Sequence, residues 1–356
     1  MRVTELPDCI REQVDLQAFN TLAMPARARY FAAVESVEQL RAAVRWGGQH
    51  GLPLLVLGGG SNVILAGDWA GLVLQINIAG KRIVRRDGFA EVTIGAGENW
   101  HALVQWTLSQ QLFGLENLTL IPGTAGAAPI QNIGAYGVEI AEHLLCVRGV
   151  DIDTLTLREL TAAECSLGYR DSVFKHALRD RFIITEIVLR LSEQFVPVVS
   201  YPALRDALAS IPQPTAFDVE RAVRGIRQSR LPDPAVLPNA GSFFKNPVVT
   251  AEHFERLQRQ FPSMPSFAAP AGVKIPAAWL VEQSGWKARR VGCVGVHGQQ
   301  ALVLIHYRDE RDVDVNAARA LLDLAAAIQR DVHARFTIDL ELEPTVYRSP
   351  DHGSAA

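Results

Sequence analysis

The sequence predicts an α+β protein of two or three domains, and three observations lead there. Its 356 residues, 48% of them apolar, exceed what one ordinary core organises. The first third alternates helix and strand patterns, and the middle is dominated by strands. A PDP triplet at 232–234 then stops a helical pattern and marks the best domain boundary.

The elements follow in order. VESVEQLRAAVRWGGQH (34–50) has apolar residues at helical spacing and ends on glycines, so it predicts an amphipathic helix with a glycine stop. PLLVLGG (53–59) predicts a buried strand, and GLVLQIN (71–77) and AEVTIGAG (90–97) two more. NWHALVQWTLSQQ (99–111) returns to helical spacing. The stretch 118–137 is rich in glycine and alanine and holds two prolines, too punctuated for a single helix. Strands are predicted at 144–152, 154–160 and 181–191, and a helix at 217–231. Beyond the boundary come a helix at 251–260, a strand at 299–307, a long helix at 314–336 and a final strand at 337–344.

Composition narrows the function. A net charge of −3 with balanced signs offers no nucleic-acid footprint. The N-terminus lacks the features of a secretory signal, and no apolar run approaches the ~20 residues a membrane span needs. Four cysteines without CxxC spacing imply reduced thiols in a cytoplasmic protein. Nine histidines show no HxxxH or HExxH pairing, so no metal is expected.

Several motifs carry chemistry. LGGGSNVIL (57–65) follows a strand directly. Consecutive glycines can turn backbone N–H groups into one concavity, with Ser61 and Asn62 adding donors, which suits a diphosphate. A plain β-turn is the alternative; no GK[ST] follows, and no helix opens there. IPGTAGAAPIQNIGAYG (121–137) could press against a flat ligand through its glycines, with Thr124, Gln131 and Asn132 meeting polar edges, or be an irregular loop. In GYRDSVFKHAL (168–178), Arg170 either pairs with Asp171 at the surface or faces a developing carboxylate charge. Arg227 and Arg230 end a helix, where cations are favoured anyway. Of only five lysines, Lys245, Lys274 and Lys287 lie beyond the boundary and could form an anion patch. NAGSFFKNPVV (239–249) holds Ser242 between a glycine and two phenylalanines, either as a polar turn or for chemistry. Glu341 and Glu343 in LELEP fall two apart, on one face of a strand.

In order and spacing, these segments resemble the UDP-N-acetylenolpyruvoylglucosamine reductase family over nearly the whole chain, from NTLAMPARARYF to LELEP. The resemblance implies a two-domain FAD-binding module of the vanillyl-alcohol-oxidase/PCMH type plus a C-terminal α/β substrate-binding domain. It divides the chain at 1–79, 80–230 and 231–343, with the tail 344–356 joining the first part. FAD is the implied cofactor and NADPH the hydride-donating co-substrate, acting on UDP-N-acetylglucosamine enolpyruvate in peptidoglycan precursor synthesis. Gly58, Gly59, Gly60, Ser61 and Asn62 would contact the flavin diphosphate. Gly123, Thr124, Gln131, Asn132, Gly134 and Ala135 would lie along the flavin.

Hydride would pass from flavin N5 to the vinyl carbon C3 and a proton from Ser242 to C2, with Arg170 and Glu343 stabilising the intermediate charge. Lys245 would tune the serine hydroxyl. Tyr201, Arg227, Arg230, Lys245, Asn246, Lys287 and Gln300 would hold the substrate. Three places depart from the family pattern: Arg230 replaces an expected lysine, Phe267 an expected tyrosine that would reach the diphosphate, and Thr345 and Tyr347 follow LELEP where valine and basic or aromatic residues are expected. The region carrying Tyr201 and Phe267 places the chain with the subtype that has an added substrate-covering lobe. A monomer without nucleic-acid or membrane partners is expected. An oxidase on the same scaffold and a non-catalytic flavin or UDP-sugar binder are the rival readings.

Overall fold

The computed structural model describes residues 6–308 and 316–350. The first sheet has the strand order Ile10–Asp15, Arg27–Val34, Trp69–Ile76, Leu54–Leu57. The first pairing is antiparallel and the other two are parallel. Parallel neighbours need a crossover, and the helix Val37–Gln49 supplies it. Ser36 caps that helix by accepting from the Gln39 N–H, and Leu40, Ala43 and Val44 form its buried stripe.

The second sheet is antiparallel throughout, in the order Leu157–Thr161, Leu144–Asp151, Phe182–Ser192, Phe89–Gly95, Lys81–Arg85. Its central strand, Phe182–Ser192, is eleven residues long and buried on both faces over most of its length. That explains the run of branched residues there. The helix Trp100–Ser109, capped by Asn99, shares a core with this sheet and with the crossover helix of the first.

Between this helix and the second sheet lies the glycine-rich segment. It forms a 3-10 helix, Ala125–Gln131, with Pro129 inside it, and then a two-residue ladder of Gly134–Ala135 with Val138–Glu139. Beside it, the helices Pro202–Ala207 and Ala216–Arg230 bury Leu204, Leu208, Val219 and Val223 in a small core of their own. Helix Ala216–Arg230 opens on a capping box of Thr215 and Asp218 and ends just before the PDP triplet.

The C-terminal lobe is built on a second antiparallel sheet, Asn239–Ser242, Val303–His306, Val294–Val296, Arg290–Val291. The helices Ala277–Gln283 and Ala317–Phe336 pack in the same core. A three-stranded flap, Val248–Val249, Gly272–Lys274, Phe267–Ala269, stands beside it. Leu22, Met24 and Ile64 from the first part of the chain are buried in this same cluster, so the lobe shares its core with the N-terminal module.

Three strand expectations need correction. The run 337–344 is no strand. Thr337 ends the long helix in the left-handed region, and Leu342 makes only an isolated bridge to Phe244. Its polar backbone is spent on the serine segment instead: Lys245 N donates to Glu341 O, and Glu343 N to Phe243 O. The strand predicted at 299–307 shortens to Val303–His306, because Gln300 closes a turn with the Val303 N–H. Strands Ile10–Asp15, Arg27–Val34 and Lys81–Arg85 were not expected at all. Residues 314–315 of the predicted long helix, residues 1–5 and the tail beyond 350 lie outside the described residues.

Candidate active site

A cavity of about 390 Å³ runs between the two sheets of the N-terminal module to the edge of the C-terminal lobe. Gly58 to Asn62 line it after the strand Leu54–Leu57, and Val63–Leu65 continues the chain. Among the described residues, the N–H groups of Gly59, Gly60 and Ser61 donate to no backbone acceptor. The loop therefore presents uncommitted donors to the cavity, as a diphosphate cradle must.

Its glycines are required by shape. A Cβ on Gly59 would come within 2.9 Å of Gly123 Cα, so the two glycine-rich loops touch through bare backbone. Gly60 has φ +61, and a Cβ there would collide with the Phe19 carbonyl. The cavity's far end is apolar, lined by Ile152, Phe182 and Ile184, with Arg179, Asp180 and Tyr347 beside them. The lining combines apolar walls with the polar 58–62 loop, as a ligand with both a flat ring and an anionic part requires.

At the other end the polar groups converge. Arg170 Nε stands 3.0 Å from Glu343 Oε1, and Arg170 Nη2 donates to Gly134 O at 3.0 Å. The Nε–H is not directed along the line to the carboxylate, so this contact is an ion pair, and the nitrogen itself is buried. Gln131 Nε2 lies 3.3 Å from the same Glu343 oxygen, and Asn62 Nδ2 donates to Gln131 Oε1 at 2.6 Å. Asn62 also reaches the Glu343 carbonyl. A continuous polar chain thus joins the 58–62 loop to the buried acid. Burial pushes the Glu343 carboxyl above its usual range, and the Arg170 and Lys175 cations oppose that shift. Arg170 does not pair with Asp171, which holds His176 instead at 2.8 Å.

Ser242 ends the strand Asn239–Ser242 on the same cavity, after Gly241 at φ +71. Phe243 and Phe244 are fully buried with their rings 5.5 Å apart, and they anchor the turn in the C-terminal core. The expectation that Lys245 tunes the serine meets a competing partner, because its ammonium is bound by Glu341. Lys175 lines the cavity with Ser242 and Glu343; in the 168–178 motif it stands out only as one charged residue of a polar turn.

The remaining expected residues divide by location. Thr124, Gln131, Gly134, Arg170 and Arg227 line the cavity with the 58–62 loop, Ser242 and Glu343. Arg227 is held by a bond from Nη2 to Leu120 O, while its Nε has no partner among the described residues. Gly123 backs the cradle from behind. Asn132 is buried in the left-handed region, with its side chain spent on Glu139, Gly168 O and the Ala141 N–H, so it shapes the loop from within. Ala135 sits in the two-residue ladder outside the lining.

Tyr201 packs edge-on to Tyr136 at 5.0 Å, and Arg230 ends the same helix as Arg227. Asn246 Oδ1 accepts from the Ala277 N–H, and Gln300 Oε1 from the Leu302 N–H. Lys287 pairs with Glu282, and Lys274 lies 4.9 Å over the Tyr169 ring. The three C-terminal lysines thus have separate partners. Phe267 is half-exposed in the flap, where its ring brings no hydroxyl.

The fold and this site together define a flavin-dependent oxidoreductase with a separate substrate lobe. Residues 28–158 match the FAD binding domain model, and residues 233–347 match the model of the UDP-N-acetylenolpyruvoylglucosamine reductase C-terminal domain. The chain is 49% identical over 335 residues to the UDP-N-acetylenolpyruvoylglucosamine reductase of Paraburkholderia phytofirmans, covering 92% of this chain and 95% of that one. It is 45% identical over 341 residues to the enzyme of that name from Pseudomonas putida, covering 95% and 98%. The crystal structure of the Thermus caldophilus reductase superposes with a TM-score of 0.64 at 23% identity, over 95% of this chain and all of that one, which speaks for the fold. The chain belongs to the UDP-N-acetylenolpyruvoylglucosamine reductase family.

Proposed function

We propose that the protein reduces UDP-N-acetylglucosamine enolpyruvate to UDP-N-acetylmuramate with electrons from NADPH, as a step in making peptidoglycan precursors. The observation that carries this is the convergence of the 58–62 loop, Gln131, Arg170, Ser242 and Glu343 on one cavity from distant parts of the chain. FAD held in this cavity by the 58–62 loop and the 124–134 segment would supply the hydride-transfer chemistry between NADPH and the enolpyruvyl group.

The chain's own groups do the rest. The open N–H donors of Gly59, Gly60 and Ser61 hold the diphosphate. Gly58, Asn62, Gly123, Thr124, Gln131, Asn132, Gly134 and Ala135 complete or shape the cofactor cradle. Arg170 lines the cavity and sets its positive charge beside the place where charge builds on the substrate carboxylate and its neighbouring carbon. Glu343, whose carboxyl burial raises against the pull of Arg170 and Lys175, is placed to donate to the same oxygens when it carries its proton. Ser242 delivers the proton to C2. Arg227 meets the sugar nucleotide at the cavity wall, and Tyr201, Arg230, Lys245, Asn246, Lys287 and Gln300 approach from the rim as the substrate settles.

We read residues 1–79 and 80–230 as the two cofactor subdomains and 231–343 as the substrate domain, with the tail joining the first. The parallel pairing of Thr345–Tyr347 with Val63–Leu65 supports that last assignment. The protein acts as a monomer in the cytoplasm; among the described residues no helix is long and apolar enough to cross a membrane.

The test is spectroscopic. The purified protein should be yellow, bleach with NADPH in the absence of air, and recolour rapidly with the enolpyruvyl substrate. Recolouring by air faster than by the sugar nucleotide would favour an oxidase. A colourless protein that cannot take up FAD would end the proposal.

A further inference from the structure

Arg170 sits where its type is not at home. Gly168 and Asp171 bond reciprocally, with Gly168 N to Asp171 O at 3.0 Å and Asp171 N to Gly168 O at 3.2 Å. Tyr169 and Arg170 are therefore the two central residues of a tight turn. Arg170 occupies its third position at φ +53, a place that glycine or asparagine fills without strain. An arginine held there puts its guanidinium on Glu343 and Gly134 O.

The device that holds it comes from the same segment. Lys175 Nζ donates to the Arg170 carbonyl at 3.1 Å. No backbone N–H reaches that carbonyl among the described residues. The base of Lys175 is itself fixed. It ends the short helical turn Val173–Lys175, which Ser172 caps by accepting from the Phe174 N–H. Phe174 is buried against Phe182 with ring centroids 5.8 Å apart. The ammonium is half-buried and looks into the cavity that Ser242 and Glu343 also line. Its charged neighbours are Asp171, Glu341 and Glu343, which favour it, and Lys245, which opposes it.

We propose that Lys175 is a positioning residue for the reduction, holding the left-handed turn at Arg170 through its carbonyl and so keeping the guanidinium aimed at the reacting carboxylate. This rests on the functional reading above. Lys175 touches neither reacting carbon; it acts through Arg170.

Lys175→Met keeps the aliphatic stem and removes the donor. In rapid-mixing experiments on the FAD-loaded variant, bleaching by NADPH should match the wild type. Recolouring by the enolpyruvyl sugar nucleotide should slow about ten- to a hundred-fold, the usual effect of losing one charged hydrogen bond that matters in the transition state. Lys175→Arg should recover most of that loss. In an Arg170→Lys background, adding Lys175→Met should cost little more, because both changes undo one arrangement.

Wild-type recolouring in Lys175→Met would overturn the inference, as would losses that multiply fully in the double variant. Equal loss of both half-reactions, or loss of FAD, in both Lys175 variants would reveal a scaffold role and overturn it too. A wild-type protein that bleaches but is never recoloured by the sugar nucleotide overturns the functional reading itself, so the two failures are told apart.

Discussion

Ser242 brings a hydroxyl to the cavity on a strand end whose next two residues are locked in a core. Ser242→Ala should therefore leave bleaching by NADPH intact and slow recolouring by about 10²–10⁴-fold, the range of a lost general acid. Equal damage to both half-reactions would contradict the proton-donor role. Glu343 makes a separate prediction through stability. Burial raises its pKa, so the folded chain keeps a proton that the unfolded chain releases at lower pH. Stability contributed by that proton is present in acid and is lost as pH rises through the folded pKa. Glu343→Gln removes the charge, so its melting temperature should match wild type in acid and exceed it towards neutrality. A difference that does not vary with pH would refute the burial argument. The serine and the glutamate were legible as types in motifs. The role of Lys175 was not, because it depends on a carbonyl made available by a turn conformation that no spacing rule reports.

At the scale of elements, the two glycine-rich loops work as a pair. Gly59 and Gly123 touch backbone to backbone, so Gly59→Val should part the loops and weaken FAD retention by at least about ten-fold, scaled to one lost diphosphate contact. Retained colour after gel filtration would show that the cradle tolerates the side chain. The helix Trp100–Ser109 gives a milder case. Asn99 Oδ1 accepts from the Ala102 N–H, and Asn99→Ala should cost about 1 kcal/mol of stability in a denaturant titration. Helices with clear spacing and caps were legible in the sequence, and Val37–Gln49, Trp100–Ser109 and Ala251–Gln260 lie where their patterns put them. The run 337–344 misled for a physical reason. Alternation marks a chain with two faces, but here Lys245 N and Glu343 N tie the run to the serine segment, and Asn62 Nδ2 donates to the Glu343 carbonyl, so no sheet neighbour is left for it. The flap strands are two or three residues long, too short to leave a period.

For the whole molecule, the order of motifs made the family legible, while the sharing of cores between lobes was not. Leu22, Met24 and Ile64 close the C-terminal core from the N-terminal side, a packing set by three-dimensional proximity alone. Because the cavity is lined from both sheets, a cofactor bound there would tie them together, and stripping FAD should lower the melting temperature. Restoring it at a hundred times its Kd should return about 2.7 kcal/mol. A melting point indifferent to FAD would mean that the channel is not where it binds.

The chain enters the C-terminal lobe through Asn239–Ser242 and leaves it through Leu342 and Glu343, and these two crossings are bonded to each other at Phe243 and Phe244. The outgoing crossing is thus a splint for the incoming one: Glu343 N is bonded to Phe243 O, and Leu342 bridges Phe244, so the acid and the hydroxyl are spaced by main chain and not by side-chain choice.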